Sequence, residues 1–236
     1  MSQTRTWLVT GSNRGIGLEF VRQLVSSPNN IVIATCRHPD TASDLKALKE
    51  WAKGNLYIMK LDVSNTDSIE ASVESTKDIL SAQGLDYLIN NAAVSEGNDL
   101  AFDMSISGLM RSFQANVAGP AFIAQTYLPF IERSTRKVIM NMTSGLGSIG
   151  LNCGKKNASY SITKTALHML SYKQAAQRPD LISFVIDPGW VKTDLGGEGA
   201  TLEPHESVSA LLTFVTNATA EHSGMVFRYS GDPLPW

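Results

Sequence analysis

The chain has 236 residues, 43% of them hydrophobic and 18% charged, with a formal net charge of −2. That is enough apolar material for one large domain with its own core, and the balanced charge excludes the strongly basic profile of a nucleic-acid or anionic-membrane binder. No apolar run reaches bilayer length, and Met1-Ser2-Gln3-Thr4-Arg5 leads into a strand without a signal-peptide core, so a cytoplasmic setting is expected.

The first element is Trp7-Leu8-Val9-Thr10, a short apolar strand, followed by the turn Gly11-Ser12-Asn13-Arg14-Gly15-Ile16-Gly17. A helix follows, with Ile16, Phe20 and Leu24 at four-residue spacing and Val21 and Val25 widening the stripe. Glycine allows tight bending and close approach of backbone to a ligand. The unpaired N–H groups at a helix start attract anions, so this strand–turn–helix unit suggests a dinucleotide pyrophosphate site. The glycine order departs from Gly-x-Gly-x-x-Gly, and the same stretch is also compatible with a turn that binds nothing.

The second strand is Ile31 to Thr35, ending in Cys36-Arg37-His38. In a dinucleotide fold an acid at this strand end would hold the ribose 2′-hydroxyl. Arg37 stands there instead, and Arg14 in the glycine turn can add a second guanidinium, a pair suited to a 2′-phosphate. Leu45, Leu48 and Trp51 predict a helix over Asp44–Lys53, and Leu56 to Leu61 a third strand closing on Asp62-Val63. Asp67 to Leu80 is amphipathic and helical; Leu85 to Ile89 is a fourth strand running into Asn90-Asn91-Ala92-Ala93, whose asparagines and small residues let a ligand approach closely, a cofactor wall or simply a turn. Met104 to Arg133 is mostly helical, with Asn116 inside it and Ala118-Gly119-Pro120-Ala121 permitting a kink or close packing.

The fifth strand, Lys137 to Thr143, delivers Ser144 at its carboxyl end; a glycine-rich loop runs to Ala158, and a helix carries Tyr160 and Lys164 to about Gln177. Leu181 to Ile186 is a sixth strand ending in Asp187-Pro188-Gly189-Trp190. Glu203 to Thr219 is a helix with Pro204 in its first turn, Met225 to Tyr229 a last strand, and Gly231 to Trp236 an irregular tail. Strands and helices alternate without linker or repeat. The expected fold is a single α/β Rossmann-type domain, doubly wound, with a parallel sheet of about seven strands flanked by helices and ligands at the strands' carboxyl ends.

Two distant cysteines, Cys36 and Cys153, show no Cys-x-x-Cys pairing, and four histidines show no ligand spacing, so no metal site is expected. Tyr160 and Lys164, four apart, share one helix face. A tyrosine titrates near pH ~10; a neighbouring cation favours the phenolate, so a lowered value and proton transfer near neutral pH are expected. Ser144, in the same carboxyl-side crevice, can hydrogen-bond a substrate oxygen. Each residue also has a plain reading, as a capping serine, a helix aromatic and a solvated lysine.

Taken together, Thr10-Gly11-x-x-x-Gly15-Ile16-Gly17, Asp62-Val63, Asn90-Asn91-Ala92, Asn116, Ser144, Tyr160-x-x-x-Lys164 and Pro188-Gly189 followed by Thr193 resemble the short-chain dehydrogenase/reductase family over essentially the whole chain. The segment Asp187 to Gly197 and the Pro-Trp ending resemble the C-factor and sniffer-like carbonyl reductases. The resemblance implies a hydride transfer between NADP(H) and a ketone or aldehyde. Tyr160 would be the general acid in reduction and the base in oxidation, Ser144 would orient the carbonyl, and Lys164 would hold the nicotinamide ribose and lower the Tyr160 pKa. Asn116 would anchor a relay water. It further implies that Gly11, Asn13, Arg14, Gly15, Ile16, Gly17, Asp62, Val63, Asn90, Ala92, Pro188, Gly189, Val191 and Thr193 meet the cofactor, and that Cys36-Arg37, in place of an acid, selects NADP(H).

Two departures matter: alanine at position 93 where glycine is common, and a Ser144–Tyr160 interval a few residues longer than usual. Val94, Leu146, Ile149, Leu151, Trp190 and Leu195 suggest an apolar substrate pocket. The long helices around Asn116–Glu132 and Tyr160–Gln177 carry apolar residues on more than one face, including Phe122, Leu128, Leu167 and Leu170, which can also all pack on the sheet; many family members pair through these helices, so the resemblance implies a homodimer or homotetramer. A signalling or regulatory protein that binds the cofactor with little turnover is the alternative; a pure binder has no need of Tyr160 or Ser144.

Overall fold

The computed structural model describes residues 4–236; the start of the leader reading, Met1 to Gln3, lies outside them. Seven strands form one parallel sheet: β1 Arg5–Thr10, β2 Asn30–Cys36, β3 Asn55–Lys60, β4 Tyr87–Asn90, β5 Val138–Met142, β6 Ile182–Asp187 and β7 Val226–Arg228. Their order is β3-β2-β1-β4-β5-β6-β7. The chain builds outward to β3, then returns to the other side of β1, which opens a crevice between the carboxyl ends of β1 and β4.

Both faces of the sheet are covered, which is why the strands read as continuous apolar runs. Neighbouring residues of a strand go to opposite faces. Trp7 and Val9 of β1, Tyr87 and Ile89 of β4, and Val138 and Met140 of β5 join one core with Phe20 and Leu24 of α1 (Gly15–Leu24) and Leu211 of α7 (Pro204–Asn217). Leu8, Leu88 and Ile139 point the other way, onto Ile69 of α3 (Thr66–Ser81) and Ile123 and Tyr127 of α5 (Gly119–Arg133). Leu167 of α6 (Ala158–Gln177) packs on Val185 and Val226.

Two helical expectations are corrected. Over 44–53 the α-helix α2 covers only Ser43–Ala47 and tightens into a 3₁₀ turn at Leu48–Glu50. Leu45 and Leu48 are buried, Trp51 is not; Lys53 and Gly54 donate instead to the Val25 carbonyl, which ends the segment. The helical run expected over 104–133 starts at Ile106 and is continuous to Arg133, but it is irregular just before Pro120. α4 (Ile106–Phe113) widens into a π-helical turn at Gln114–Ala118, where the Gly119 N–H reaches back to the Gln114 carbonyl. The turn carries Asn116, which is buried. Its side chain accepts the Val94 N–H at 2.9 Å and donates to the Val94 carbonyl at 2.9 Å and to Thr163 Oγ1 at 3.0 Å. A side chain on Gly119 would strike the Val63 carbonyl oxygen, so this turn seats directly on the loop after β3.

Candidate active site

At the carboxyl end of β1 the glycines are required by geometry. Gly11 and Gly15 have φ of +68° and +55°, values that side-chain-bearing residues rarely adopt. A Cβ on Gly17 would strike the Gly11 carbonyl oxygen and stand 2.6 Å from Asn91 Nδ2. The turn is held from both sides: Ser12 N–H donates to the Thr35 carbonyl at 3.0 Å and Ser12 Oγ to the Val9 carbonyl at 2.7 Å, while Asn91 Nδ2 donates to the Thr10 carbonyl at 2.8 Å. No side chain caps the start of α1, and its first turn contains no acid. Its leading N–H groups and the positive end of its dipole therefore face the crevice uncompensated, a setting that favours an anion.

A cleft of about 620 Å³ runs from this turn toward α6. Of the residues expected at a cofactor, Gly11, Asn13, Arg14, Gly15, Ile16, Gly17, Arg37, Asp62, Val63, Ala92, Tyr160, Lys164, Pro188 and Thr193 line it, with Ala92 packed on Gly11 and Thr193 on Gly15. Asn90, Gly189 and Val191 do not line it. Asn90 is buried and donates to Asn141 Oδ1 at 2.8 Å; Val191 is buried and bridges to Leu202. Gly189, at φ +79°, lies under the Tyr229 ring. Asn91 of the Asn90–Ala93 stretch lines the cleft as well, as do Thr143 and Asp194, which were not singled out from the sequence. The Asn90-Asn91 doublet was the available signal for Asn91; nothing local marked the other two.

The expected pair of arginines is divided. Arg37 is exposed at the end of β2, next to the buried Cys36, whose thiol burial pushes up. Arg14 reaches across the cleft mouth to Asp194, Nη1 to Oδ2 3.1 Å, an exposed pair of small energetic weight. Burial works against ionisation of Asp62, but Ser64, whose N–H and Oγ–H both donate to Oδ1, and the positive Arg37 and His38 hold its carboxyl below the usual range.

At the other end, α6 presents Tyr160 and Lys164, both buried. Lys164 Nζ donates to the Met142 carbonyl at 2.7 Å and stands 5.3 Å from the centroid of the Tyr160 ring. Burial lowers Lys164 to about 7. The expectation that Tyr160 is lowered is overturned: burial first, and the Asp187 carboxylate second, push it well above the ordinary tyrosine value. Removal of the phenolate from water is the larger of the two causes. Burial also raises Asp187, although the Gly189 N–H donates to it at 3.1 Å. Ser144 follows Thr143 at the end of β5, half-buried and outside the cleft lining, its Oγ accepting the Leu146 N–H at 3.2 Å. Asn116 likewise lies behind the wall, tied through Thr163 to the helix that carries Tyr160.

Among the described residues no helix is long and apolar enough to cross a membrane, and no group of three or more His, Cys, Asp or Glu is placed to hold a metal ion. The cradle fits a dinucleotide: glycines where backbone must approach, an uncapped helix start for phosphate, and a cleft that continues to Tyr160 and Lys164.

The family model for short chain dehydrogenase matches residues 5–201. An NADPH-bound carbonyl reductase from chicken fatty liver has the same fold, with a TM-score of 0.92, 31% identity and full coverage of both chains. The carbonyl reductase Sniffer of Drosophila melanogaster superposes with a TM-score of 0.94 at 28% identity, covering 99% of this chain and 100% of its own. C-signal of Myxococcus xanthus is 33% identical over 154 residues, 64% of this chain and 93% of that protein. A match over most of the length, on a sheet and cleft of this form, means that the chain belongs to the short-chain dehydrogenase family of oxidoreductases.

Proposed function

We propose that this protein is an NADP(H)-dependent carbonyl reductase acting on small or medium apolar ketones or aldehydes. The observation that carries the reading is the buried Tyr160–Lys164 pair on the wall of a cleft whose far end is an uncapped glycine turn. The reduced nicotinamide, when bound, supplies the hydride. Tyr160, which keeps its proton at neutral pH, donates it to the substrate oxygen. Ser144 holds that oxygen, Lys164 fixes the ribose and supports the phenol, and Asn116 anchors the path by which the proton is replaced. The raised Tyr160 favours reduction over oxidation, because the donor form is the one populated. The NADPH-bound relative supports the cofactor assignment. Two free thiols, Cys36 and Cys153, agree with a reducing, cytoplasmic compartment. A panel of ketones and aldehydes followed by NADPH absorbance tests the reading; absence of turnover alongside tight NADPH binding would favour the regulatory alternative.

Arg37 sets the cofactor preference in this reading. The unmodified protein is expected to bind NADPH more tightly than NADH, and Arg37→Asp to lose ~10-fold or more of that preference, since a charge-assisted contact is replaced by like-charge repulsion. Calorimetry with both cofactors decides; equal affinities in the parent protein sink the assignment.

A homodimer or homotetramer is proposed through the α5 and α6 helices, where Ile162, Met169 and Tyr172 of α6 remain exposed. Light scattering at micromolar concentration is expected to give a multiple of 25.6 kDa; the monomer mass alone would refute it.

A further inference from the structure

Two side chains of α6 reach back to the end of β5. Lys164 Nζ donates to the Met142 carbonyl at 2.7 Å. One turn later, His168 Nε2 meets Thr143 Oγ1, also at 2.7 Å. Thr143 and His168 are 1% and 2% exposed, so water does not compete for this contact. Thr143 immediately precedes Ser144, and its own N–H is fixed to the Ile186 carbonyl at 2.9 Å.

The loop beyond Ser144 closes on the same imidazole. A Cβ on Gly147 would lie 2.8 Å from Lys164 Cβ and 3.0 Å from His168 Nε2, so loop backbone and ring are in contact. The tail holds this loop from outside. Ser148 Oγ donates to the Pro235 carbonyl at 2.6 Å, and Gly150 N–H to the Trp236 carbonyl at 2.9 Å; the Trp236 ring meets His168 edge-on at 5.9 Å. His168 therefore stands where strand end, loop and tail converge.

A leucine would fill the space but would leave the buried Thr143 Oγ1 without the hydrogen bond it makes to the ring. Here His168 Nδ1 is buried with no hydrogen-bond partner, an arrangement that costs stability. Burial, and secondarily the Lys164 charge, lower the ring to about 4, so it is neutral near pH 7 and Nε2 is its one polar anchor. The one protein hydrogen bond that the ring makes is therefore to the residue that immediately precedes Ser144.

We propose that His168 is a positioning residue, whose Nε2–Thr143 hydrogen bond sets where the end of β5 presents Ser144 to the helix carrying Tyr160. This rests on the reading of Ser144 and Tyr160 given above. Misplacement of a reacting group by a fraction of an ångström to 1 Å costs turnover, while the glycine turn that binds the phosphates, on the far side of the cleft, is untouched.

The test is a double-mutant cycle on the full chain with NADPH and a carbonyl compound that the parent reduces. His168→Leu is expected to lower kcat by ~10-fold with NADPH affinity, read by fluorescence titration, changed by less than ~2-fold. Thr143→Val should lose a similar factor, and the double variant should be no worse than either, because both delete one hydrogen bond. His168→Gln, whose carboxamide reaches about as far as Nε2, should recover most of the loss. Thr143→Val is isosteric and keeps the question answerable if His168→Leu melts early. Unchanged kcat in His168→Leu, losses that multiply, or failure of Gln to rescue would each overturn the proposal. Ser144→Ala separates the two levels: full turnover there overturns the reading of the site and this inference with it. Loss there without loss in His168→Leu overturns this inference alone.

Discussion

Tyr160→Phe is expected to lower reductive turnover by ~10²-fold or more while leaving NADPH affinity nearly unchanged, the weight of a general acid that touches the reacting oxygen but carries little of the cofactor's binding. The ring stays in its buried place, so the variant should fold. Lys164→Ala should damage both quantities, because it removes a donor to the Met142 carbonyl and the charge next to the phenol. The pH profile follows from the same two groups. Lys164, at about 7, is charged below that pH and neutral above it. The kcat/KM for NADPH, which reports groups of the free protein, is therefore expected to be level on the acid side and to decline above about pH 7 as the supporting cation is lost. Oxidation needs the phenolate, which burial disfavours, so it should climb into the alkaline range. Oxidation already at its plateau at neutral pH would show that the phenol is ionised there and that burial does not dominate. Near-normal reduction by Tyr160→Phe would assign the proton to another group.

Gly17→Ala is expected to be the most damaging single-atom change in the cofactor cradle. Its Cβ would strike the Gly11 carbonyl oxygen and crowd Asn91 Nδ2, and neither is the end of a flexible chain. Gly11 is backbone at φ +68°, and Asn91 is pinned by its own hydrogen bonds to the Thr10 and Gly11 carbonyls. Relief requires the turn to open away from α1. Overpacking of this kind costs ~1–3 kcal/mol, which, if it falls on the bound form, is ~5- to ~150-fold in NADPH affinity. Calorimetry with NADPH and a thermal melt separate the parts: an unchanged melt with weak binding places the strain at the cradle. Parental affinity in a folded Gly17→Ala protein would show that the turn is not the phosphate site.

Much of this molecule is written in short-range patterns, and those are what the sequence alone determined. The apolar run Trp7–Thr10, the glycines at 11, 15 and 17 and the four-residue repeat of α1 specify a strand–turn–helix unit through local sterics and burial. The Tyr160–Lys164 spacing places both groups on one helix face by helix geometry alone. Strand–helix alternation, with a handedness rule for each crossover, leaves little freedom for the sheet.

What only the tertiary structure decided depends on groups far apart in the chain. Arg14 meets Asp194, 180 residues on, and is thereby parted from Arg37, which stays exposed at the end of β2. Asn116 sits in a π-helical turn because Val94, Thr163 and the close seat of Gly119 on Val63 hold it there, where the Pro120 signal pointed to a kink slightly later. Thr143 and His168 meet only when α6 packs across the end of β5. The direction of the Tyr160 shift is the clearest case. Sequence shows the lysine one turn away, whose field lowers a phenol's pKa, but not the depth of burial or the Asp187 carboxylate that raise it. Desolvation is set by everything packed around a group, and no local spacing encodes it.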